Sequence, residues 1–224
     1  MRLIMLLCIA LVVQPASGPP AALPDMATGR LAESLEGAQS HSTHVWRDTP
    51  AFNPDGTING YVEISRGDRR KWEYDMRRNE RAIDRVMPAE VGGYPVNYGF
   101  VPQTISYDGD PFDVLVLGPP IPGGTLVRGV IVGLMHMEDE KGLDSKVVIS
   151  RVGSKGEAVD ALTPADARRI ADYFKRYKLH EPGKFSKVDG WGTAGQGLAF
   201  VEMTHAFFRE CRSVPRAPCR LPIR

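Results

Sequence analysis

Three carboxylates crowd into six positions near the middle of the chain, where Asp-Gly-Asp-Pro-Phe-Asp leads into the apolar run Val-Leu-Val-Leu. The glycine and proline favour a tight turn, and the apolar run predicts a buried strand that anchors it. Asp108, Asp110 and Asp113 repel one another unless cations lie between them. Oxygen ligands select hard ions such as Mg2+, Mn2+ or Ca2+. A solvated Asp-Gly turn is the alternative. An EF-hand loop is disfavoured, because Pro119 stands where its bidentate glutamate would be.

A second acidic cluster follows the next apolar run. Residues 138–146 read Glu-Asp-Glu-Lys-Gly-Leu-Asp-Ser-Lys and precede the strand-like run Val-Val-Ile. Two strand-flanking loops therefore each offer carboxylates, as a site for several metal ions requires. Metal ions combined with lysine, arginine and tyrosine make an environment for a small, highly charged anion, most naturally a phosphate. Such side chains are spaced around both loops: Lys71, Arg85, Tyr94, Tyr98, Lys146, Tyr177 and Lys178.

The elements that must position these groups are short strands separated by Gly, Pro and Asp turns, a pattern that suits a small closed or partly open barrel. The alternation over 61–65 predicts that Glu63 lies opposite Val62 and Ile64, which face the core. Strands are predicted near 72–76, 98–101, 113–117, 128–135 and 146–152.

Two helices are predicted in the second half of the chain. Thr163 and Pro164 provide an N-cap and a first-turn proline for one helix, whose apolar stripe continues to Tyr177. By residue type alone Tyr177 reads as a core aromatic. A terminal helix is predicted over about 197–210.

The chain resembles the Mg2+-dependent soluble inorganic pyrophosphatases, whose signature is the Asp-Gly-Asp-Pro-x-Asp at 108–113. The resemblance extends over roughly Gly60 to Trp191. It also rests on Val-Glu-Ile around Glu63, Lys71-Trp72-Glu73-Tyr74, Asp84-Arg85, the Tyr-Pro-Val-Asn-Tyr-Gly-Phe run at 94–100, Asp139-Glu140 with Asp144-Ser145-Lys146, Tyr177-Lys178, and the closing segments at 183–185 and 188–191.

This resemblance implies a mainly β fold with flanking helices (α+β), built on a five-stranded barrel of the oligonucleotide-binding (OB) type. It implies hydrolysis of pyrophosphate to two phosphates without a covalent intermediate, several Mg2+ ions for which Mn2+ or Zn2+ can substitute, and a homo-oligomer. Asp110 would be the catalytic base. The metal ligands would be Asp108, Asp113, Asp139, Asp144, Glu63 and Glu73. The phosphate oxygens would contact Lys71, Arg85, Tyr98, Lys146, Tyr177 and Lys178.

Composition limits the number of domains and the classes of function that fit the chain. A chain of 224 residues with 42% hydrophobic and 25% charged residues predicts one domain with extensions. The net charge of +1 argues against a nucleic-acid surface. A P-loop motif is absent from the sequence. Two alternatives stay open: a hydrolase of a related polyphosphate or nucleotide, and a non-catalytic OB-fold binding module, which would leave the metal-type carboxylates unexplained.

The two ends of the chain predict export. The apolar run over 3–13 is too short to span a bilayer and is followed by small residues, which predicts a signal peptide over 1–22 and no membrane attachment after cleavage. A flexible linker is expected over 23–44, a catalytic domain over 45–210 and a tail over 211–224. Cys211 and Cys219 form an even pair that predicts a disulfide, with two free thiols as the alternative. The lack of an Asn-x-Ser/Thr sequon favours a bacterial periplasm.

Overall fold

The computed structural model describes residues 25–212, which form four helices and nine strands. The helices are α1 (Asp25–Gln39), α2 (Val45–Asp48), α3 (Pro164–Phe174) and α4 (Ala194–Cys211). The strands are β1 (Ile58–Ile64), β2 (Arg70–Asp75), β3 (Glu80–Val86), β4 (Asn97–Phe100), β5 (Asp113–Val116), β6 (Leu126–Asp139), β7 (Gly142–Leu143), β8 (Lys146–Arg151) and β9 (Ser186–Gly192).

Five strands pair in a closed ring. β1 pairs with β4, β4 with β5, β5 with β8, β8 with β6, and β6 returns to β1. The β5–β8 pair is parallel and the others are antiparallel. Strand β6 spans 14 residues, and its second half also pairs with β7 and β9. This ring confirms the mainly β fold with an OB-like barrel.

Four of the five barrel strands, β1, β4, β5 and β8, are almost wholly buried, because helices cover what the barrel interior does not, whereas β6 is partly exposed. Alternate residues Val114 and Val116 pack with Val147 and Ile149 in one cluster, which Val201 of α4 joins. The intervening residues pack in a second cluster with the aromatic side of α3: Leu115, Leu117, Val148, Ile170, Tyr173, Phe174 and Tyr177. Alternate residues of these strands thus pack into two different apolar clusters, instead of one set facing a core and the other facing solvent.

Strand β1 departs from the predicted alternation at the position that matters for the site. Its register against β4 shifts between Val62 and Ile64, and these two residues lie in different apolar clusters instead of facing one core. All seven β1 positions are buried. The close β1–β4 approach depends on Gly99, since a Cβ there would lie 1.8 Å from the Tyr61 carbonyl oxygen. Glu63 is consequently held inside the protein rather than on a solvated face.

Both predicted C-terminal helices are present. Thr163 caps α3, its hydroxyl accepting from the Asp166 amide, and Pro164 opens the helix. Helix α3 ends at Phe174, so Tyr177 lies in the turn beyond it. Helix α4 begins with a capping box between Thr193 and Gln196. No helix within residues 25–212 is long and apolar enough to cross a membrane.

Three strands were not predicted. β3 carries mostly charged residues and is largely exposed, so its sequence lacks a core-facing alternation. β7 has two residues, and β9 contains two glycines and few large apolar residues. All three are formed by pairing with a neighbour, β2 or β6, rather than by local preference.

The prediction of a flexible linker over 23–44 is wrong for residues 25–39, which form α1. Leu31, Leu35 and Ala38 of this helix are buried against Phe207 and Phe208 of α4. Burial of this apolar stripe outweighs the polar composition that suggested a linker. The predicted signal peptide lies outside the described residues.

Cys211 closes α4 and is fully buried and disulfide-bonded. The partner predicted from the sequence, Cys219, lies outside the described residues. The Cys211–Cys219 pairing therefore stays a prediction.

Candidate active site

A cavity of about 470 Å3 opens beside the barrel where β1, β4 and β5 meet the loops that carry the two acidic clusters. Eleven of the thirteen side chains predicted for catalysis, metal binding or phosphate binding line it. The two that do not are Arg85 and Lys146. The eleven are Asp110, Asp108, Asp113, Asp139, Asp144, Glu63, Glu73, Lys71, Tyr98, Tyr177 and Lys178.

The first acidic loop is a tight turn held by backbone bonds. The Gly109 amide donates to the Ser106 carbonyl at 3.1 Å, and the Ser106 amide donates to the Asp110 carbonyl at 2.6 Å. Gly109 has φ of +87°, a conformation that glycine adopts without strain. The Asp110 amide donates to the Asp108 carboxylate at 3.1 Å. Asp113, the first residue of β5, follows at the barrel rim, so the turn presents three carboxylates to one cavity.

The second acidic loop faces the first through a lysine. The Lys141 amide donates to Asp139 at 2.8 Å, which shapes the β6–β7 turn. The Lys141 ammonium lies 3.3 Å from an oxygen of Asp108 and 3.8 Å from one of Asp110. Burial opposes ionisation of Asp108, but the charge and hydrogen bond of Lys141 together with hydrogen bonds from Asp110 outweigh it and lower the pKa of this carboxyl group. Lys141 belongs to the second acidic cluster, and nothing in the sequence indicates that it contacts the first acidic loop.

Lys146 lies between the two clusters rather than on the cavity surface. Its ammonium group donates to Asp113 at 2.5 Å and to Asp144 at 2.8 Å, and its side chain is only 1% exposed. The rings of Tyr98 and Phe174 lie 5.6 and 5.7 Å from the same ammonium. Burial lowers the pKa of Lys146, but the two carboxylates outweigh burial and raise it. Lys146 is therefore a permanent cation in this position.

Lys178 pairs with the second cluster in the same manner. Its ammonium donates to Asp139 at 2.5 Å and to both oxygens of Glu140 at 3.1 Å. Lys178 and Asp139 are both buried, yet both line the cavity. Each acidic pair of the site thus has its own ammonium partner.

Two carboxyl groups of the site, the buried Glu63 and the half-buried Asp144, have raised pKa values. Burial raises the pKa of Glu63 to about 8, and repulsion from Asp113 and Glu73 adds to this, while the Tyr74 amide, which donates to Glu63 at 2.7 Å, opposes it. Burial also raises the pKa of Asp144 to about 7, with Lys146 opposing and Asp113 adding. A nearby cation would favour the ionised form of both groups.

Tyrosines form the inner wall of the cavity. Burial, reinforced by Asp113 and Asp144, raises the pKa of Tyr98 well above its usual value. Burial and neighbouring carboxylates act on the pKa of Tyr177 in the same direction. Both phenols consequently keep their protons and can donate hydrogen bonds to an anion. Tyr94, which the sequence placed among the side chains around the acidic loops, also lines the cavity.

The β2–β3 hairpin supplies the outer cationic groups. Lys71 is paired with Glu73 and lies 3.3 Å from Asp84. Arg85 lies behind the cavity surface and pairs with Asp84 at 2.8 Å and with Glu181 at 2.9 Å. Its Nε is buried without a hydrogen-bond partner among the described residues. Glu181 was missed in the sequence, because an isolated glutamate after a helix carries no pattern.

The donor set fits a hard divalent cation in its chemistry. The two loops and β1 present six carboxylate groups to one cavity, and a bound cation would favour the ionised form of Glu63 and Asp144, whose pKa values are raised. Within residues 25–212, however, no three acidic, histidine or cysteine side chains converge closely enough to hold an ion by themselves. Ammonium groups take part of that role here.

Comparison with known proteins identifies the family of the chain. Residues 60–209 match the family model described as inorganic pyrophosphatase. An inorganic pyrophosphatase of Sulfolobus acidocaldarius is 36% identical over 162 residues, covering 69% of this chain and 93% of that protein. One from Rhodospirillum rubrum is also 36% identical over 162 residues, covering 67% and 88%.

Solved structures of inorganic pyrophosphatases share the fold of this chain over most of its length. The inorganic pyrophosphatase of Coxiella burnetii superposes with a TM-score of 0.66 at 38% identity, covering 71% of this chain and 99% of the other. That of Thermus thermophilus gives a TM-score of 0.68 at 32% identity, covering 75% and 99%. The matched region contains both acidic loops, the barrel and the β2–β3 hairpin. With its acidic turn, its barrel and two thirds of its length matching in order, this chain belongs to the inorganic pyrophosphatase family.

Proposed function

We propose that the protein hydrolyses inorganic pyrophosphate to two phosphates, with Mg2+ as its cofactor. The observation that carries this proposal is the convergence of two carboxylate loops, ammonium groups and protonated tyrosines on one cavity of about 470 Å3. Phosphoryl transfer requires charge neutralisation and an in-line nucleophile rather than covalent help from the protein. This cavity offers groups for both tasks.

The metal ligands would be the six carboxylates predicted from the sequence: Asp108, Asp113, Asp139, Asp144, Glu63 and Glu73. Bound divalent ions would lower the pKa of a shared water and offset phosphate charge. Asp113 and Asp144 are already fixed by Lys146, and Glu63 by the Tyr74 amide, so these oxygens are oriented in advance. Asp139 is oriented by Lys178.

Asp110 is the best-placed base for the attacking water. Asp113 and Asp144 are engaged by Lys146, whereas Asp110 is more exposed to the cavity and lies 3.8 Å from the Lys141 ammonium. A carboxylate that reaches the cavity can accept a proton from a water bound there. The phosphate oxygens would contact Lys71, Lys178, Tyr98 and Tyr177. Arg85 of β3, which lies behind the cavity surface, would add a permanently charged guanidinium group.

A phosphate-release assay across substrates tests the activity. With purified protein we expect hydrolysis of pyrophosphate with Mg2+, abolition by EDTA, and slower turnover of tripolyphosphate and nucleotides. Mn2+ or Zn2+ should support activity, and Ca2+ should inhibit because its larger, looser coordination sphere misplaces the water. Protein that releases no phosphate from pyrophosphate with Mg2+, Mn2+ or Zn2+ would contradict the proposal, and preferential hydrolysis of tripolyphosphate or nucleotides would change the substrate.

We also propose that the protein is exported to the periplasm and acts as a homo-oligomer. The apolar leader and the two C-terminal cysteines of the sequence support export. Mass spectrometry of protein from the periplasm should show cleavage near residues 17–22 and a Cys211–Cys219 bridge. An intact Met1 would contradict the export, and a Cys219 that is alkylated without reductant would contradict the bridge. Size-exclusion chromatography with light scattering tests the oligomer.

A further inference from the structure

The part of the chain before the family match contacts the active site. The match begins at residue 60, yet residues 31–48, here called the N-terminal clamp, pack along the tip of the β2–β3 hairpin. Leu31, Leu35 and Ala38 of the clamp are buried in one cluster with Met76, which follows β2. Glu33 and Ser34 line the same cavity as the acidic loops. The clamp is thus both a packing partner of the hairpin and a piece of the cavity wall.

Helix α1 approaches the hairpin backbone at a glycine. A Cβ built on Gly37 would lie 2.6 Å from the Cα of Arg77, a distance at which something must move. Glycine therefore permits a direct contact between the helix and the hairpin tip. On the same side, Glu33 and Arg77 form an ion pair at 3.7 Å.

Hydrogen bonds continue the contact beyond the helix. His44 Nδ1 accepts from the Arg47 amide at 3.3 Å, so its Nε2 carries the proton and donates to the Met76 carbonyl at 2.9 Å. His41 Nε2 lies 2.8 Å from the Arg77 carbonyl. The Asn79 side chain donates to the Thr43 carbonyl at 2.9 Å. Met76, Arg77 and Asn79 of the hairpin tip are therefore bonded to the clamp.

The hairpin depends on such external contacts. β2 and β3 form a two-stranded sheet of their own, and most β3 side chains are exposed. An isolated hairpin of this size is marginally stable in water. Its anchor on the barrel side is Glu63, which accepts from the Tyr74 amide and whose carbonyl accepts from Arg81. The clamp anchors the opposite end.

We propose that the N-terminal clamp positions the β2–β3 hairpin, with Gly37 and His44 as positioning residues for Lys71 and Glu73. Its catalytic consequence rests on the proposed pyrophosphate hydrolysis. Loosening the clamp displaces the hairpin's phosphate and metal groups from the cavity without altering the carboxylates of β5 and the β6–β8 loop. A misplacement of about 1 Å far from the chemistry can cost about a hundredfold in rate.

A matched pair of helical glycines tests the packing contact. Gly37→Ala adds a methyl group against the Arg77 backbone, whereas Gly195→Ala in α4 meets nothing closer than 3.8 Å. Both changes replace a helical glycine by alanine, which raises helix propensity. We expect Gly37→Ala to lower kcat/KM for pyrophosphate by about ten- to a hundredfold, mainly through a higher KM and a higher Mg2+ requirement. Gly195→Ala should match the unchanged protein.

A histidine pair tests the hydrogen bond. Asparagine caps helices well, so His44→Asn keeps the cap of α2 but is too short to reach the Met76 carbonyl as well. We expect it to reproduce the kinetic loss of Gly37→Ala. The control is His136→Asn, since His136 lies on β6 against Phe200, away from both the hairpin and the clamp. His44→Asn with unchanged kinetics would show that this residue only caps α2 and would remove it from the proposal.

Hydrogen exchange measured by mass spectrometry separates the clamp from the activity. Amides of residues 71–80 should exchange faster in Gly37→Ala and His44→Asn than in Gly195→Ala. Unchanged exchange and unchanged kcat/KM in Gly37→Ala would overturn the proposal. If the unchanged protein released no phosphate from pyrophosphate, the proposed function would fail, while the exchange result would still decide whether the clamp holds the hairpin.

Discussion

Replacing Asp110 by asparagine should lower kcat by about 10²- to 10⁴-fold while leaving most of the Mg2+ affinity. Asparagine has nearly the same shape as aspartate. It also keeps the bonds that the backbone amide and carbonyl of residue 110 make in the turn. It cannot accept a proton from the attacking water. Steady-state kinetics combined with an Mg2+ titration separates the two quantities.

Asp113→Asn serves as the contrast. Its carboxylate accepts from Lys146 and lies at the start of β5, so its loss should lower Mg2+ affinity as well as kcat. An exposed aspartate of α3, Asp172, provides the neutral control. If Asp110→Asn turned over pyrophosphate at a near-normal rate, the base would have to be a different group.

Lys146→Met should destabilise the metal-free protein by about 3–5 kcal/mol. The change removes the cation between Asp113 and Asp144 and leaves two carboxylates close together with no partner. Burial and repulsion already raise the pKa of Asp144 while the lysine is present, so its loss should push that carboxyl group toward the protonated form. Urea unfolding in EDTA measures the free energy of unfolding.

Added Mg2+ should recover part of this loss, because a divalent ion can take the position between the carboxylates that the ammonium vacates. Lys187→Met is the control, since Lys187 is exposed and pairs with Asp189 at the surface; its change should stay within about 0.5 kcal/mol. A Lys146→Met protein as stable in EDTA as the unchanged protein would mean that the ion pairs contribute nothing to the fold.

The two acidic loops and the strands that carry them can be predicted from the sequence alone. Asp108, Asp110 and Asp113 are separated by few residues, so a local turn is enough to bring them together, and the structure shows that turn. The Thr163 cap and the apolar stripe of α3 are likewise local signals. Such features depend on neighbours within a few positions, which a sequence displays directly.

Which lysines and carboxylates form ion pairs depends on the tertiary structure. Nothing local indicates that Lys141 reaches back to Asp108, that Lys146 is buried between Asp113 and Asp144, or that Lys178 pairs with Asp139 across 39 positions. The pairing of β5 with β8 brings Asp113 beside Lys146, and the pairing of β9 with the end of β6 brings the segment that carries Lys178 beside Asp139. A single lysine in a sequence reads as a surface charge, and only the fold turns it into a buried cation.

The secondary structure of the segments with a weak sequence pattern also depends on tertiary contacts. The charged strand β3 and the short β7 form only because a partner strand supplies their hydrogen bonds. Residues 25–39 read as a linker, yet the buried faces of Phe207, Phe208 and Met76 give Leu31 and Leu35 a surface to cover. The reason is physical: apolar burial against a distant part of the chain contributes more free energy than the local preference that the sequence reveals.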